Sequence, residues 1–131
     1  WDSVMRVNVN SAFYLTQALL PLLRDSDDGR ILFTSSSVGR KGRAFWGAYA
    51  ASKAATENLS QTLAEELENT SKIRVNTINP GATRTDMRVL AYPGEDAEKL
   101  KSPEQIVASY LYLLGPEGAA INGQSLDAQP R

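Results

Sequence analysis

The sequence predicts an α/β domain built on a parallel sheet. Two short runs, RILFTSS (30–36) and KIRVNTIN (72–79), are rich in apolar and β-branched residues and are bounded by turn signals. A segment of strong helix formers, 46–69, lies between them. Helical patterns also precede the first run and follow the second. Helices and strands therefore alternate, as they do when parallel strands are joined by crossovers.

Residues 2–24 carry Val4, Met5, Phe13, Leu15, Leu19, Leu20, Leu22 and Leu23 at three- and four-residue spacing, which predicts a largely buried helix. Pro21 is expected to bend it or to end its regular part. DSDDG (25–29) is a polar turn, and the 30–36 run follows as a buried strand. VGRKGRAF (38–45) reads as a loop with two glycines. After the 46–69 helix, the 72–79 strand stops at Pro80 and Gly81. Residues 81–101 show no sustained period and read as a long loop with room for a short helix. Ser102, Pro103 and Gln105 mark a helix start, as cap, first-turn proline and far half of a capping box. That helix runs to Leu114 and stops at Gly115 and Pro116. GQSLDA (123–128) is the last strand. Little then remains to cover the second face of the sheet, and the first strand has no neighbour on its outer edge.

Composition narrows the chemistry. The 131 residues make one domain, 1–131, long enough for a real core. A net charge of −1 gives no pull toward nucleic acid or an anionic membrane. No apolar run reaches the length of a membrane span and no signal peptide is visible, so a cytoplasmic location is expected. There is no cysteine and no histidine, which removes disulfides, thiolate metal sites and the commonest general base; no metal site is expected. Acid–base chemistry near neutrality then falls to Tyr, Lys or a carboxylate. The chain opens without Met on WDSVMRVNVN, already the inside of a helix, so an upstream segment is expected.

Within WGAYAASKAATENL (46–59), Tyr49 and Lys53 stand one helical turn apart, about 6 Å at Cβ. A phenol has a pKa of ~10; bringing it near neutrality requires about 4 kcal/mol. An ammonium about 4 Å away supplies ~4 kcal/mol at an effective dielectric of ~20. One lysine at this spacing could thus make a tyrosine an acid–base group, and Ala50, Ala51 and Ser52 are expected to leave room for a flat ligand. The plain alternative is a lysine stem lying over a surface ring. Context favours chemistry: a buried strand ends in the hydroxyl run Ser35–Ser36–Ser37, and ligands of parallel sheets bind at the carboxyl ends of strands. Ser36 stands thirteen positions before Tyr49.

The string RILFTSSSVGRKGRAFWGAYAASK resembles the short-chain dehydrogenase/reductases, whose active site is a Ser followed by Tyr-x-x-x-Lys. NPGATRTDM (79–87) looks like that family's Asn-Pro-Gly turn, MRVNVN (5–10) like the helix bearing a fourth catalytic residue, and SPEQIVASYLYLL with INGQSLDA like its final helix and strand. The resemblance runs from residue 1 to about 128. It implies a Rossmann-like, doubly wound parallel sheet of which this chain is the second, catalytic half, without the glycine-rich turn over the pyrophosphate. It further implies an NAD(P)-dependent oxidoreductase that moves a hydride between nicotinamide and a carbonyl or alcohol, with NADP slightly favoured.

Residue by residue, the resemblance implies Tyr49 as general acid or base, Lys53 as the group that lowers its pKa and binds the nicotinamide ribose, and Ser36 as the group on the substrate oxygen, with Ser35 and Ser37 as competitors. Asn8 is the implied relay, unless it is simply a satisfied buried amide. Pro80, Gly81, Thr83 and Thr85 are the implied cofactor contacts, and Thr85 also suits a helix cap. Residues 86–101 would form the substrate loop. Arg40, Lys41 and Arg43 read as a solvated loop, and Tyr92, Tyr110 and Tyr112 as packing residues. The resemblance also implies a homo-oligomer through helices 2–24 and 46–69, and a small-molecule substrate. Two alternatives are an inactive assembly module and an epimerase or dehydratase sharing Tyr-x-x-x-Lys. The ending LDAQPR, in place of paired glycines, is similar to a bacterial subgroup of uncharacterised oxidoreductases.

Overall fold

The computed structural model describes residues 1–130. A continuous helical run over 2–25 is built from α1 (Asp2–Met5), a π-helical turn (Arg6–Asn10) and α2 (Ser11–Asp25). The wider π turn is one that functional sites often use. The Ser11 hydroxyl donates to the Val7 carbonyl there. Pro21 does not end the helix, which continues to Asp25.

β1 (Arg30–Thr34) ends before the serine run, and a short helix, α3 (Ser37–Arg40), occupies part of the expected loop. α4 (Gly47–Glu68), β2 (Arg74–Asn79), α5 (Asp86–Ala91), α6 (Pro103–Leu114) and β3 (Ser125–Asp127) complete the main elements. The capping box of α6 forms as its residues predict: the Ser102 N–H donates to Gln105 Oε1 at 2.8 Å while the Ser102 side chain accepts in return.

The sheet has three parallel strands in the order β1-β2-β3, with Phe33 opposite Thr77 and Ile78 opposite Leu126. Strand residues alternate between faces. Val75 packs with Phe33, Ala64, Leu67 and Ile73, joined by Leu20 and Leu23, so α4 and α2 share one face. Ile78 points the other way, toward Leu113 of α6. The second face is thus partly covered, and β1 is an edge strand among the described residues.

One expectation is corrected. The 2–25 helix has no fully buried residue. Ala12, Leu20 and Leu23 meet the core, but Val7, Tyr14, Leu15 and Leu22 are each more than 60% exposed. Periodicity identifies an apolar face; it does not supply what covers it.

Candidate active site

The carboxyl ends of β1 and β2 and the start of α4 converge on the expected residues. Ser36, the cap of α3, and Tyr49, in the first turn of α4, are both half-buried. Burial pushes the Tyr49 phenol above its usual value of 10.0, and a hydrogen bond with Ser36 pulls partly against it. Trp46 packs edge-on against the Tyr49 ring at 5.6 Å between centroids and covers part of it. Lys53 lies over the same ring, its ammonium 5.6 Å from the centroid, and donates to the Thr34 carbonyl at 2.9 Å. Burial lowers the Lys53 pKa. The ammonium is committed to a strand-end carbonyl, and the phenol keeps its proton more firmly than the spacing argument expects.

The small residues between the pair do not clear a ligand space. Ala50 and Ser52 are buried against protein. Successive helix positions face different ways, so the residues between i and i+4 do not line the gap. Ser52 instead turns toward the π-helical turn, where its hydroxyl accepts from Asn8 Nδ2 at 3.0 Å and donates to the Tyr49 carbonyl at 2.7 Å. Asn8 therefore braces the residue before Lys53.

After β2, Gly81 adopts φ 75°, the left-handed region that favours glycine. Its N–H donates to Asn79 Oδ1 at 3.1 Å, and Gln129 Nε2 donates to the Pro80 and Ala82 carbonyls at 2.9 and 3.0 Å. Thr83 is buried and donates to the Gly81 carbonyl at 3.2 Å. Thr85 caps α5, accepting from the Arg88 N–H at 3.2 Å. Beyond it, the Arg88 guanidinium stacks on Tyr92 at 3.7 Å, pairs with Glu95 at 2.7 Å, and Tyr92 lies against Trp46. The segment expected as a substrate loop is thereby tied to the residue that packs on Tyr49.

Sequence reasoning missed a charged network beneath these residues. Glu57, one turn beyond Lys53, is buried and accepts from Thr77 Oγ1 and Ser125 Oγ, both at 2.8 Å. Burial alone would raise its pKa; the hydrogen bonds from Ser125 and Thr77, with the Arg40 charge, help to outweigh it, and the carboxyl is held below its usual range. Arg40 is not a solvated loop residue. It donates to Ser125 Oγ at 2.9 Å, Asp127 Oδ1 at 2.8 Å and the Leu126 carbonyl at 3.0 Å, with Glu57 3.5 Å away. The signal available in sequence was the i, i+4 continuation Tyr49, Lys53, Glu57 on one helix face.

A parallel sheet with a serine, a tyrosine and a lysine gathered at its carboxyl edge is the arrangement of the short chain dehydrogenases, and the chain belongs to that family: its sequence model matches residues 1–96. The chain is 58% identical over 130 residues to YciK of Escherichia coli K12, described as an uncharacterized oxidoreductase, covering 99% of this chain and 51% of that protein. It is 58% identical, with a TM-score of 0.95, to the crystal structure of a protein described as a short chain dehydrogenase from Escherichia coli CFT073 complexed with NADPH, covering 99% of this chain and 53% of that one. A more distant relative is the 3-oxoacyl-[acyl-carrier-protein] reductase FabG of Vibrio cholerae, 32% identical over 134 residues, 96% of this chain and 54% of that protein. The chain spans about half the length of the curated relatives it matches. The expected likeness to a bacterial oxidoreductase subgroup and the Rossmann-type α/β fold are both borne out. Among the described residues, no helix is long and apolar enough to cross a membrane.

Proposed function

We propose that this chain carries the catalytic residues of an NADP(H)-dependent oxidoreductase acting on a small carbonyl or alcohol substrate, with carbonyl reduction the favoured direction. The observation that carries the reading is the Tyr49 phenol, with Ser36 beside it acting to lower its pKa and the Lys53 ammonium 5.6 Å from its ring centroid, at the carboxyl end of β1. The donor set suits the nicotinamide end of the cofactor. Lys53 and the phenol offer donors for ribose hydroxyls, and the left-handed turn at Gly81 presents backbone rather than a side chain beside them. The bound cofactor would supply the hydride.

The chain's own residues account for the proton. A phenol kept protonated by burial is a general acid at neutral pH, and it gives its proton downhill to a developing alkoxide. Ser36 donates a hydrogen bond to that oxygen and fixes its position. Lys53, its ammonium 5.6 Å from the ring centroid, is a cation beside the phenolate left behind. Asn8 holds Ser52, and through it the turn of α4 that carries both groups. Pro80, Gly81, Thr83 and Thr85 form the wall on which the nicotinamide would rest. Exposed apolar residues of the 2–25 helix support a homo-oligomer. Tyr49→Phe in the complete protein tests the reading. NADPH-dependent reduction of a panel of aldehydes and ketones is expected to fall at least ~100-fold, with NADPH affinity within a few fold of wild type. Retained turnover removes Tyr49 from the chemistry.

A further inference from the structure

Residues 127–129 leave β3 and reach both halves of the site. Gln129 Nε2 holds the Pro80 and Ala82 carbonyls, which flank the left-handed Gly81. The Ala128 N–H donates to the Asn79 carbonyl at 2.9 Å, and Asn79 Nδ2 donates to Asp127 Oδ1 at 2.9 Å. The same carboxylate oxygen receives Arg40 Nη1 at 2.8 Å. Arg40 ends α3, the short helix that starts beside Ser36. This helix sits so close to α4 that a Cβ on Gly39 would stand 2.8 Å from the Lys53 carbonyl carbon. Without these contacts the ties of the Pro80–Ala82 turn among the described residues are two local bonds, Gly81 N–H to Asn79 and Thr83 to the Gly81 carbonyl, and a bridge of Thr83 to Lys101 on its far side. A turn anchored on one side opens at lower cost than one anchored on both.

We propose that Asp127 and Gln129 are positioning residues. They form a C-terminal strap that holds the Pro80–Ala82 turn and the Ser36 loop in fixed relation, so that a ring seated on the turn meets Tyr49 and Ser36 together. The consequence for catalysis rests on the functional reading above; the strap itself does not.

The test uses Gln129→Ala, Gln129→Glu, Asp127→Ala and Asp127→Asn in the complete protein. Gln129→Glu keeps the length of the side chain but offers no donor and sets a carboxylate against two carbonyls. Amide hydrogen exchange at Gly81, Ala82 and Thr83 is expected to accelerate about tenfold in both Gln129 variants, while Val75 and Ile78 in β2 keep wild-type rates. Asp127→Ala is expected to release the 81–83 and 37–39 amides together, and Asp127→Asn, which keeps an acceptor, to restore most of the protection. Affinity for NADPH, read by fluorescence, is expected to weaken about tenfold in Gln129→Glu, with KM for NADPH rising more than kcat falls. Unchanged exchange at 81–83 overturns the strap, and so does equal deprotection of all of β2, which would mark general destabilisation. Release of only one segment in Asp127→Ala overturns the coupling. If exchange changes as expected but the wild-type protein neither binds NADPH nor reduces any carbonyl, the strap stands and the functional reading fails.

Discussion

Replacing Arg40 by Met removes a cation from three strand-end acceptors and leaves a buried carboxylate behind. The guanidinium bonds lost are those to Asp127 at 2.8 Å, Ser125 at 2.9 Å and the Leu126 carbonyl at 3.0 Å. Hydrogen bonds to charged groups are worth about 1.5–3 kcal/mol each. The Arg40 side chain is 27% exposed, so water recovers part of that when the bonds are cut. Against this stands Glu57, whose side chain is only 9% exposed and which loses its cationic neighbour at 3.5 Å. Stranding one member of a buried pair costs about 3–5 kcal/mol when the burial is complete. With partial exposure on the arginine side, a net loss of about 3 kcal/mol is expected. Urea denaturation at neutral pH reads it directly, with an unchanged slope showing that the unfolded state is the same.

The pH dependence sharpens the test. The folded pKa of Glu57 lies below its usual 4.5, so its contribution to stability is complete above that value and is lost as pH falls through the folded pKa. Arg40 is one of the groups holding the carboxyl down, so the gap between wild type and Arg40→Met should narrow on acidification. The double variant Arg40→Met, Glu57→Gln should cost less than the sum of its parts by about 1 kcal/mol or more. A loss below about 1 kcal/mol at neutral pH, or a gap that is independent of acid, refutes the network as a source of stability.

Three further outcomes are expected. Gly39→Ala forces a Cβ to within 2.9 Å of the Lys53 carbonyl oxygen, and because backbone cannot yield there it should lose about 1–3 kcal/mol in the same assay; wild-type stability would show that α3 is not seated on α4 as described. The difference in ultraviolet phenolate absorbance between wild type and Tyr49→Phe should place the Tyr49 transition above the ordinary 10.0, because burial disfavours the anion; the stability tied to the neutral phenol is then present below that pH and lost as pH rises through the folded value, and a midpoint below 10.0 contradicts it. Leu15→Glu combined with Leu22→Glu places two charges on the exposed apolar face of α2 and should convert an oligomer to a monomer by sedimentation; a wild-type protein that already sediments as a monomer removes that proposal.

What sequence could reveal divides along the range of the interactions. The start of α6 was readable because Ser102, Pro103 and Gln105 make their contacts with one another. Ser36 was singled out by the family resemblance, and its position beside Tyr49, at the cap of α3, follows from the strand end and helix start that bracket it. The surface of the 2–25 helix was misjudged because an apolar stripe specifies a need for cover, and the described residues satisfy it only through Ala12, Leu20 and Leu23. Ala50 and Ser52 were misjudged because small size was taken for open space, when the helix directs them into a neighbour. Arg40 was missed because its main partner, Asp127, lies 87 positions away, and nothing local in RKGR distinguishes a paired fork from a solvated one.

That last separation bears on how the site assembles. Ser36, Tyr49 and Lys53 lie within 18 positions of one another and can be brought together by β1, α3 and α4 alone. The turn at Gly81 comes from β2, and what fixes it to the serine loop comes from Asp127 at the end of β3 and Gln129 just beyond it. Closing the longer loop costs entropy that is recovered only when β3 pairs with β2. The residues proposed for proton transfer and the turn beside them therefore belong to different contact ranges, and the second depends on β3, the shortest strand among the described residues. Weakening β3, at residues far from Tyr49, should loosen the Gly81 turn and, through Arg40, the α3 side of the serine loop before it disturbs the tyrosine ring, because the Trp46 and Lys53 contacts of that ring do not pass through β3.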